Sequence, residues 1–278
     1  MEVQWYPGHM TRTKRQMKED IKLVDLVIEL LDARIPLSSR NPDIDEIAAS
    51  KSRMILLNKK DMADKAATQQ WKAFFEEQGL CVCLADARNG ADMKQINAQV
   101  QKACAKKIER DRARGIKNRP VRAMVVGIPN VGKSTFINTF AKKGVAKTGN
   151  KPGVTRGKQW IRLSSTLELL DTPGILWPKF EDERVGLNLA LTGAINENIL
   201  NKEELALELI KILEEGYPDV VRKFYDIPAA TLENIASARG CLKTGGELDT
   251  LKAANILLEN FRNGKLGRIS LEKVGGNM

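Results

Sequence analysis

The run Gly127-Ile128-Pro129-Asn130-Val131-Gly132-Lys133-Ser134 fits GxxxxGK[ST] and is followed by Thr135. Glycines in such a loop let the backbone curl so that successive N–H groups, here including those of Asn130, Val131, Gly132 and Thr135, point at phosphate oxygens. Lys133 would bring a point charge to the β- and γ-phosphates, a catalytic role, and Ser134 a hydroxyl to Mg²⁺. Asp171-Thr172-Pro173-Gly174 begins 38 residues after Lys133. It offers a carboxylate, Asp171, to the metal's water shell, since Mg²⁺ keeps much of its hydration. The Gly174 N–H can meet the γ-phosphate and loses that partner on hydrolysis. Between these motifs, Thr155 in Pro152-Gly153-Val154-Thr155-Arg156 is the candidate for a second Mg²⁺ hydroxyl.

A second constellation, Asn58-Lys59-Lys60-Asp61, fits NKxD. The Asp61 carboxylate can accept from both N1–H and N2–H of guanine, whereas adenine has no such donor pair. Asn58 can meet the other edge of the base, and the Lys59 stem can lie along the ring face. Lys60 completes the base-side set.

These residues need a scaffold that brings them to one edge. Leu23–Leu31, Arg53–Leu57, Leu80–Leu84 and Val121–Val126 read as buried strands, with Gln159–Leu163 and Thr166–Leu170 as a further pair. Helical patterns lie between them at Thr68–Gln78, Ala91–Arg114 and Lys133–Lys143. That rhythm belongs to a parallel α/β sheet, in which ligand loops gather at the carboxyl ends of the strands. Asn58 therefore follows one strand and Gly127 another. After Pro178 the pattern is helical only, at Glu203–Glu215, Ala229–Ala238 and Leu248–Phe261, with Gly216, Gly240 and Gly264 as stops. The expected organisation is an α/β nucleotide-binding domain over residues 1–177 and a small all-helical domain over 178–278.

The order of the motifs is reversed from the usual one, because the base-reading motif precedes the phosphate loop. Together with Trp5-Tyr6-Pro7-Gly8-His9-Met10 and Asp32-Ala33-Arg34-Ile35-Pro36, this order resembles the circularly permuted P-loop GTPases, and within them the ribosome biogenesis GTPase A family. The resemblance covers nearly the whole chain. It implies GTP hydrolysis in late assembly of the large ribosomal subunit, stimulated by that particle, with a helical C-terminal domain that contacts rRNA. One position departs from the family pattern. The loop usually written Ser-Ala-x-x-Gly is Asp86-Ala87-Arg88-Asn89-Gly90 here, so Ala87 keeps its backbone N–H for guanine O6 while Asp86 replaces the usual serine.

Ile175 follows Gly174 where a Ras-like site has a water-orienting Gln, so hydrolysis by the isolated protein should be slow. His9, the only histidine, is the candidate catalytic group that the resemblance points to, since imidazole titrates in the useful range. An exposed or structural histidine is the alternative. Asn130 has two readings as well: in the GTPases that this loop resembles, an Asn here accompanies K⁺-dependent hydrolysis, and otherwise it is a turn residue after Pro129.

Charge narrows the partner. The 278 residues carry a formal net charge of +10. Up to Trp177 there are 32 Lys+Arg against 19 Asp+Glu, and from Pro178 onward 13 against 16. The densest stretch, Lys102–Arg122, has nine basic and two acidic residues. A polyanion is the natural partner, and RNA rather than DNA is expected. No stretch is long and uncharged enough to span a membrane, and no signal-peptide core opens the chain, so no export and a cytoplasmic location are expected. Cys81, Cys83, Cys104 and Cys241 lack metal-ligand spacing and read as free thiols. Two other functions remain in view: an RNA-binding protein with GTP as a structural ligand, and a P-loop ATPase acting on another polyanion.

Overall fold

Uninterrupted runs of Leu, Ile and Val build the centre of the molecule, because strands covered on both faces have no solvent side to mark with polar residues. The computed structural model describes residues 10–116, 119–141, 160–170, 182–195 and 201–275. The first part runs α1 (Met10–Asp20), β1 (Leu26–Asp32), α2 (Asp43–Ile47), β2 (Ser52–Asn58), α3 (Lys65–Glu77) and β3 (Cys81–Leu84). It continues with α4 (Met93–Ala103), α5 (Ala105–Ala113), β4 (Val121–Val126), α6 (Lys133–Phe140), β5 (Trp160–Arg162) and β6 (Leu167–Leu170). Five helices follow among the described residues: α7 (Glu183–Leu191), α8 (Lys202–Gly216), α9 (Val220–Tyr225), α10 (Leu232–Ala238) and α11 (Thr250–Arg262).

The six strands form one sheet in the order β3-β2-β1-β4-β6-β5. All neighbours are parallel except β5, which pairs antiparallel with β6 through the short Ser164–Ser165 connection. The register sets Asp32 beside Asn58 at the carboxyl ends of β1 and β2. The loop after β4 opens at that same edge, because a Cβ added to Gly127 would lie 2.7 Å from the Leu30 carbonyl oxygen. Two motifs far apart in the chain thus meet.

The single helix expected over Ala91–Arg114 is bent. Gly90–Asp92 forms a 3₁₀ turn, and Cys104, at φ −104° and ψ 13°, divides α4 from α5. The hydrogen-bond ladder continues on both sides, from Cys104 N to Val100 O and from Ile108 N to Cys104 O. The bend keeps Ile96, Val100 and Cys104 buried against the sheet while α5 turns its basic residues outward. All four cysteines are free.

The helices after β6 have an apolar cluster of their own, built from α8, α9, α10 and α11. Helix α7 joins the two cores: Leu189 packs with the sheet, Ala190 and Leu191 with the later helices. Residues 269–272 then return to the first part of the chain. Ile269 N donates to Met62 O, Leu271 N to Arg34 O, and Trp71 Nε1 to Glu272 O. The Glu272 carboxylate accepts from Leu37 N at 2.7 Å, Ser38 N at 2.9 Å and the Ser38 hydroxyl. Burial pushes the Glu272 carboxyl up from its ordinary value, against these hydrogen bonds, which pull it down. Among the described residues no helix is long and apolar enough to cross a membrane.

Candidate functional site

The phosphate-type loop is held by backbone geometry. Asn130 has φ 59° and Gly132 φ 101°, both in the left-handed region, which is costly for most side chains. A Cβ on Gly132 would sit 2.4 Å from Asn58 Nδ2, so glycine is required there twice over. Lys133, Ser134 and Thr135 form the first turn of α6, with Lys133 half-buried and both hydroxyl residues exposed.

Asn58 is buried and ties the two loops together. Its Nδ2 donates to Val131 O at 2.7 Å, and its Oδ1 accepts from Ala87 N at 2.8 Å. Sequence reasoning assigned Asn58 to an edge of the base and the Ala87 N–H to guanine O6. In the structure these groups bond each other first, closing the base-side loop onto the phosphate loop. Asp61 follows β2 at the same edge: Oδ1 is buried without a hydrogen-bond partner among the described residues, and Oδ2 pairs with Arg88 Nη2. A buried, unpaired carboxylate oxygen costs free energy unless a donor meets it. The N–H groups of guanine are donors of that kind.

Lys60 braces its neighbours instead of facing the base. Its Nζ lies 2.7 Å from Asp92 Oδ1, and Asp92 Oδ2 accepts from Asp86 N at 2.9 Å. The Asp86 carboxylate is engaged within its own loop, accepting from Arg88 N at 2.9 Å and Arg88 Nε at 3.3 Å. Aspartate in place of serine therefore serves loop geometry and positions Arg88 near Asp61. Neither Asp92 nor Arg88 was singled out from sequence; the need of Lys60 for a counter-charge was the only signal for Asp92.

Lys59, at φ 61°, reaches across the edge, with Nζ 2.9 Å from Asn130 O and 2.9 Å from Asp32 Oδ2. Asp32 and Arg34, at 2% and 1% exposure, form a buried pair in which Arg34 Nε and Nη2 donate to the two carboxylate oxygens at 3.0 and 2.7 Å. Burial alone would raise the Asp32 pKa, but the Arg34 guanidinium and Lys59 ammonium overcome it and hold the carboxyl well below the usual carboxylate range. Sequence reasoning quoted Asp32-Ala33-Arg34 without giving either charged residue a role. His9, Thr155, Asp171 and Gly174 lie outside the described residues.

Known proteins resemble this chain along nearly its whole length. Residues 122–234 match the family described as 50S ribosome-binding GTPase. The chain is 50% identical to ribosome biogenesis GTPase A of Priestia megaterium over 279 residues, covering 98% of this chain and 97% of that one. It is 47% identical to the protein of that name from Bacillus licheniformis, covering 98% and 99%. The GNP-bound crystal structure of YlqF from Thermotoga maritima superposes with a TM-score of 0.69 at 28% identity, covering 95% of this chain and 99% of that one.

Proposed function

From its membership of the ribosome biogenesis GTPase A family, a P-loop GTPase fold whose members hydrolyse GTP in ribosome biogenesis, we propose that the chain binds the large ribosomal subunit and acts late in its assembly. Hydrolysis of GTP to GDP is slow in isolation and rises when that particle binds. The observation that carries the reading is the Asn58 tie, which joins the base-side and phosphate loops beside the open Asp61 Oδ1. Asp61 reads guanine, and Asn58, Lys59, Lys60, Asp86 and Ala87 shape the slot around it. Asn130, Val131, Gly132, Lys133, Ser134, Thr135 and Gly174 surround the phosphates.

An exposed hydroxyl at Ser134, next to Lys133 on the first turn of α6, suits Mg²⁺, which takes hard oxygen donors. Ser134, Asp171 and Thr155 would hold the ion, which neutralises charge on the phosphate oxygens. Lys133 adds its own charge there. His9 is the candidate for orienting the attacking water, and Asn130 for a K⁺ between phosphates. The motif order is that of a circularly permuted G domain over 1–177 followed by a helical domain over 178–278, in a cytoplasmic protein.

An rRNA partner is supported by charge placement. Lys102, Lys106, Arg110 and Arg114 recur every four residues along α4 and α5, all exposed and none in an ion pair among the described residues. Like charges at this spacing destabilise a helix, so the stripe is better explained by phosphate contacts than by helix stability.

The test is GTP turnover with and without purified large subunits, in K⁺ and in Na⁺. Low turnover alone, a rise with subunits and a further rise in K⁺ are expected. Equal rates in the two salts remove the role of K⁺. Full stimulated turnover in His9→Ala removes that of His9. No turnover under any condition leaves GTP as a structural ligand of an RNA-binding protein, and equal competition by ATP overturns the guanine assignment.

A further inference from the structure

The polar contacts around Asp32 close into a ring that leaves the nucleotide edge and returns to it through the later helices. Lys59 Nζ bonds Asn130 O and Asp32 Oδ2, and Arg34 holds Asp32 from the other side. The remaining guanidinium nitrogen, Arg34 Nη1, donates to Phe261 O at 3.4 Å and Arg262 O at 3.3 Å, the last carbonyls of α11, and the guanidinium carbon lies 5.4 Å from the centre of the Phe261 ring. Arg262 in turn donates from Nε to Leu191 O at 2.9 Å and from Nη2 to Ala190 O at 2.7 Å, at the end of α7. Two residues on, Gly193 turns the chain at φ 76°, and its carbonyl accepts from Asn130 Nδ2 at 2.6 Å. The circuit has returned to the phosphate loop.

The two arginines add donors at the helix ends: Leu191 O and Arg262 O close α7 and α11, while Ala190 O and Phe261 O also accept from Gly193 N at 3.1 Å and Gly264 N at 3.0 Å. A buried Asp–Arg pair is stable only with good geometry on both partners, and the ring provides it. Gly193 has a local reason too, since a Cβ there would come within 3.4 Å of Arg262 Nε. Asn130 supplies the link from the turn after α7 back to the phosphate loop.

We propose that Asp32, Arg34 and Arg262 are positioning residues for the guanine-nucleotide site, acting through Lys59 and Asn130, so that α7 and α11 form the outer wall that sets the geometry of the phosphate loop. The proposal rests on the nucleotide site described under Proposed function. Coupling of this kind is reciprocal: if the end of α11 holds the loop, nucleotide on the loop must hold the end of α11.

The experiment measures GDP affinity and dissociation with a fluorescent GDP analogue on the full chain, with thermal unfolding and near-ultraviolet circular dichroism in parallel. Binding by the unaltered protein checks the site itself; if it binds no guanine nucleotide, the site assignment fails before the ring is in question. Given binding, Arg262→Ala should weaken GDP about 5- to 20-fold through faster dissociation and raise KM with kcat unchanged, in the range of ordinary coupling energies. Arg262→Lys, which keeps one donor, should recover part of the affinity. Asp32→Asn should weaken binding as well, and adding Arg262→Ala to it should cost less than in the unaltered protein, because both act along one path. Hydrogen exchange supplies the converse: GDP should slow exchange at residues 260–265 in the unaltered protein and not in Asp32→Asn. Unchanged affinity in a natively folded Arg262→Ala protein would overturn the proposal. So would additive effects in the double variant, or lower thermal stability with affinity intact, which marks a structural role alone. If Arg262→Ala does not fold, Arg262→Lys and the exchange measurement decide.

Discussion

On the base side of the nucleotide edge, side chains hold side chains and loops: Lys60 holds Asp92, Asp92 holds the Asp86 backbone, and Arg88 holds Asp61. On the phosphate side, conformation does most of the holding, with Asn130 and Gly132 at positive φ and Gly127 against the Leu30 carbonyl, and the links of Lys59 to Asn130 O and of Asn130 to Gly193 O brace it from outside. Asn58 belongs to both. The difference teaches where each half is sensitive. A side-chain network loses energy link by link, whereas a backbone curl fails when a single atom is added.

The largest effect should come at the base. Asp61→Asn replaces a double acceptor with a group that opposes one guanine donor, so GDP affinity should fall about 1000-fold, the equivalent of two hydrogen bonds to a charged acceptor. Fluorescence titration checks this, and xanthosine diphosphate, with a carbonyl in place of the exocyclic amine, should gain. On the phosphate side, Gly132→Ala adds one carbon at φ 101° against Asn58 Nδ2. A loss of about 100-fold is expected from strain of roughly 3 kcal/mol, read by calorimetry. A loss below fivefold would mean the curl relaxes freely, and the comparison would break.

Asn58→Ala removes two buried hydrogen bonds, each worth about 1 kcal/mol, so GDP should weaken about 30-fold. Because Val131 O and Ala87 N are both left unpaired, thermal unfolding should come earlier too, which separates this variant from Asp61→Asn. The smallest effect belongs to Lys60→Ala. Its pair with Asp92 is partly exposed, so no more than about fivefold is expected. A drop as large as that of Asn58→Ala would place Lys60 at the ligand instead of behind the loop.

Local pattern carried much of the fold. The bounds of β4, Val121–Val126, coincide with the apolar run, and the helices of the second part lie within a few residues of their periodic stretches. Helices α1, α2, α7 and α9 were not anticipated. Three of them are short or strongly polar, and α7 divides its apolar residues between two cores, so no single stripe marks it. The break at Cys104 was equally hidden, since nothing in the sequence there breaks a helix. In the candidate site, the motifs holding Asn58, Asp61, Gly132 and Lys133 could be read because each is contiguous, and the structure brings their loops together through Asn58. The partners of Lys59 and Asn58 could not, because they depend on the strand register that sets Asp32 beside Asn58 and on a loop 71 to 73 residues away. Spacing along one motif says nothing about either.

The return of residues 269–272 has a consequence for how the protein is made. Ser270 and Glu272 bond backbone and side-chain groups more than 200 positions earlier in the chain, and Glu272 alone caps two N–H groups, of Leu37 and Ser38. During translation those groups emerge first and stay hydrated until residues 269–272 follow them. The nascent sheet can form early, but the clamp on Leu37 and Ser38 closes only after Glu272 has emerged. Translation that stops short of Glu272 should therefore yield a protein that folds its strands and still lacks the clamp on Leu37 and Ser38.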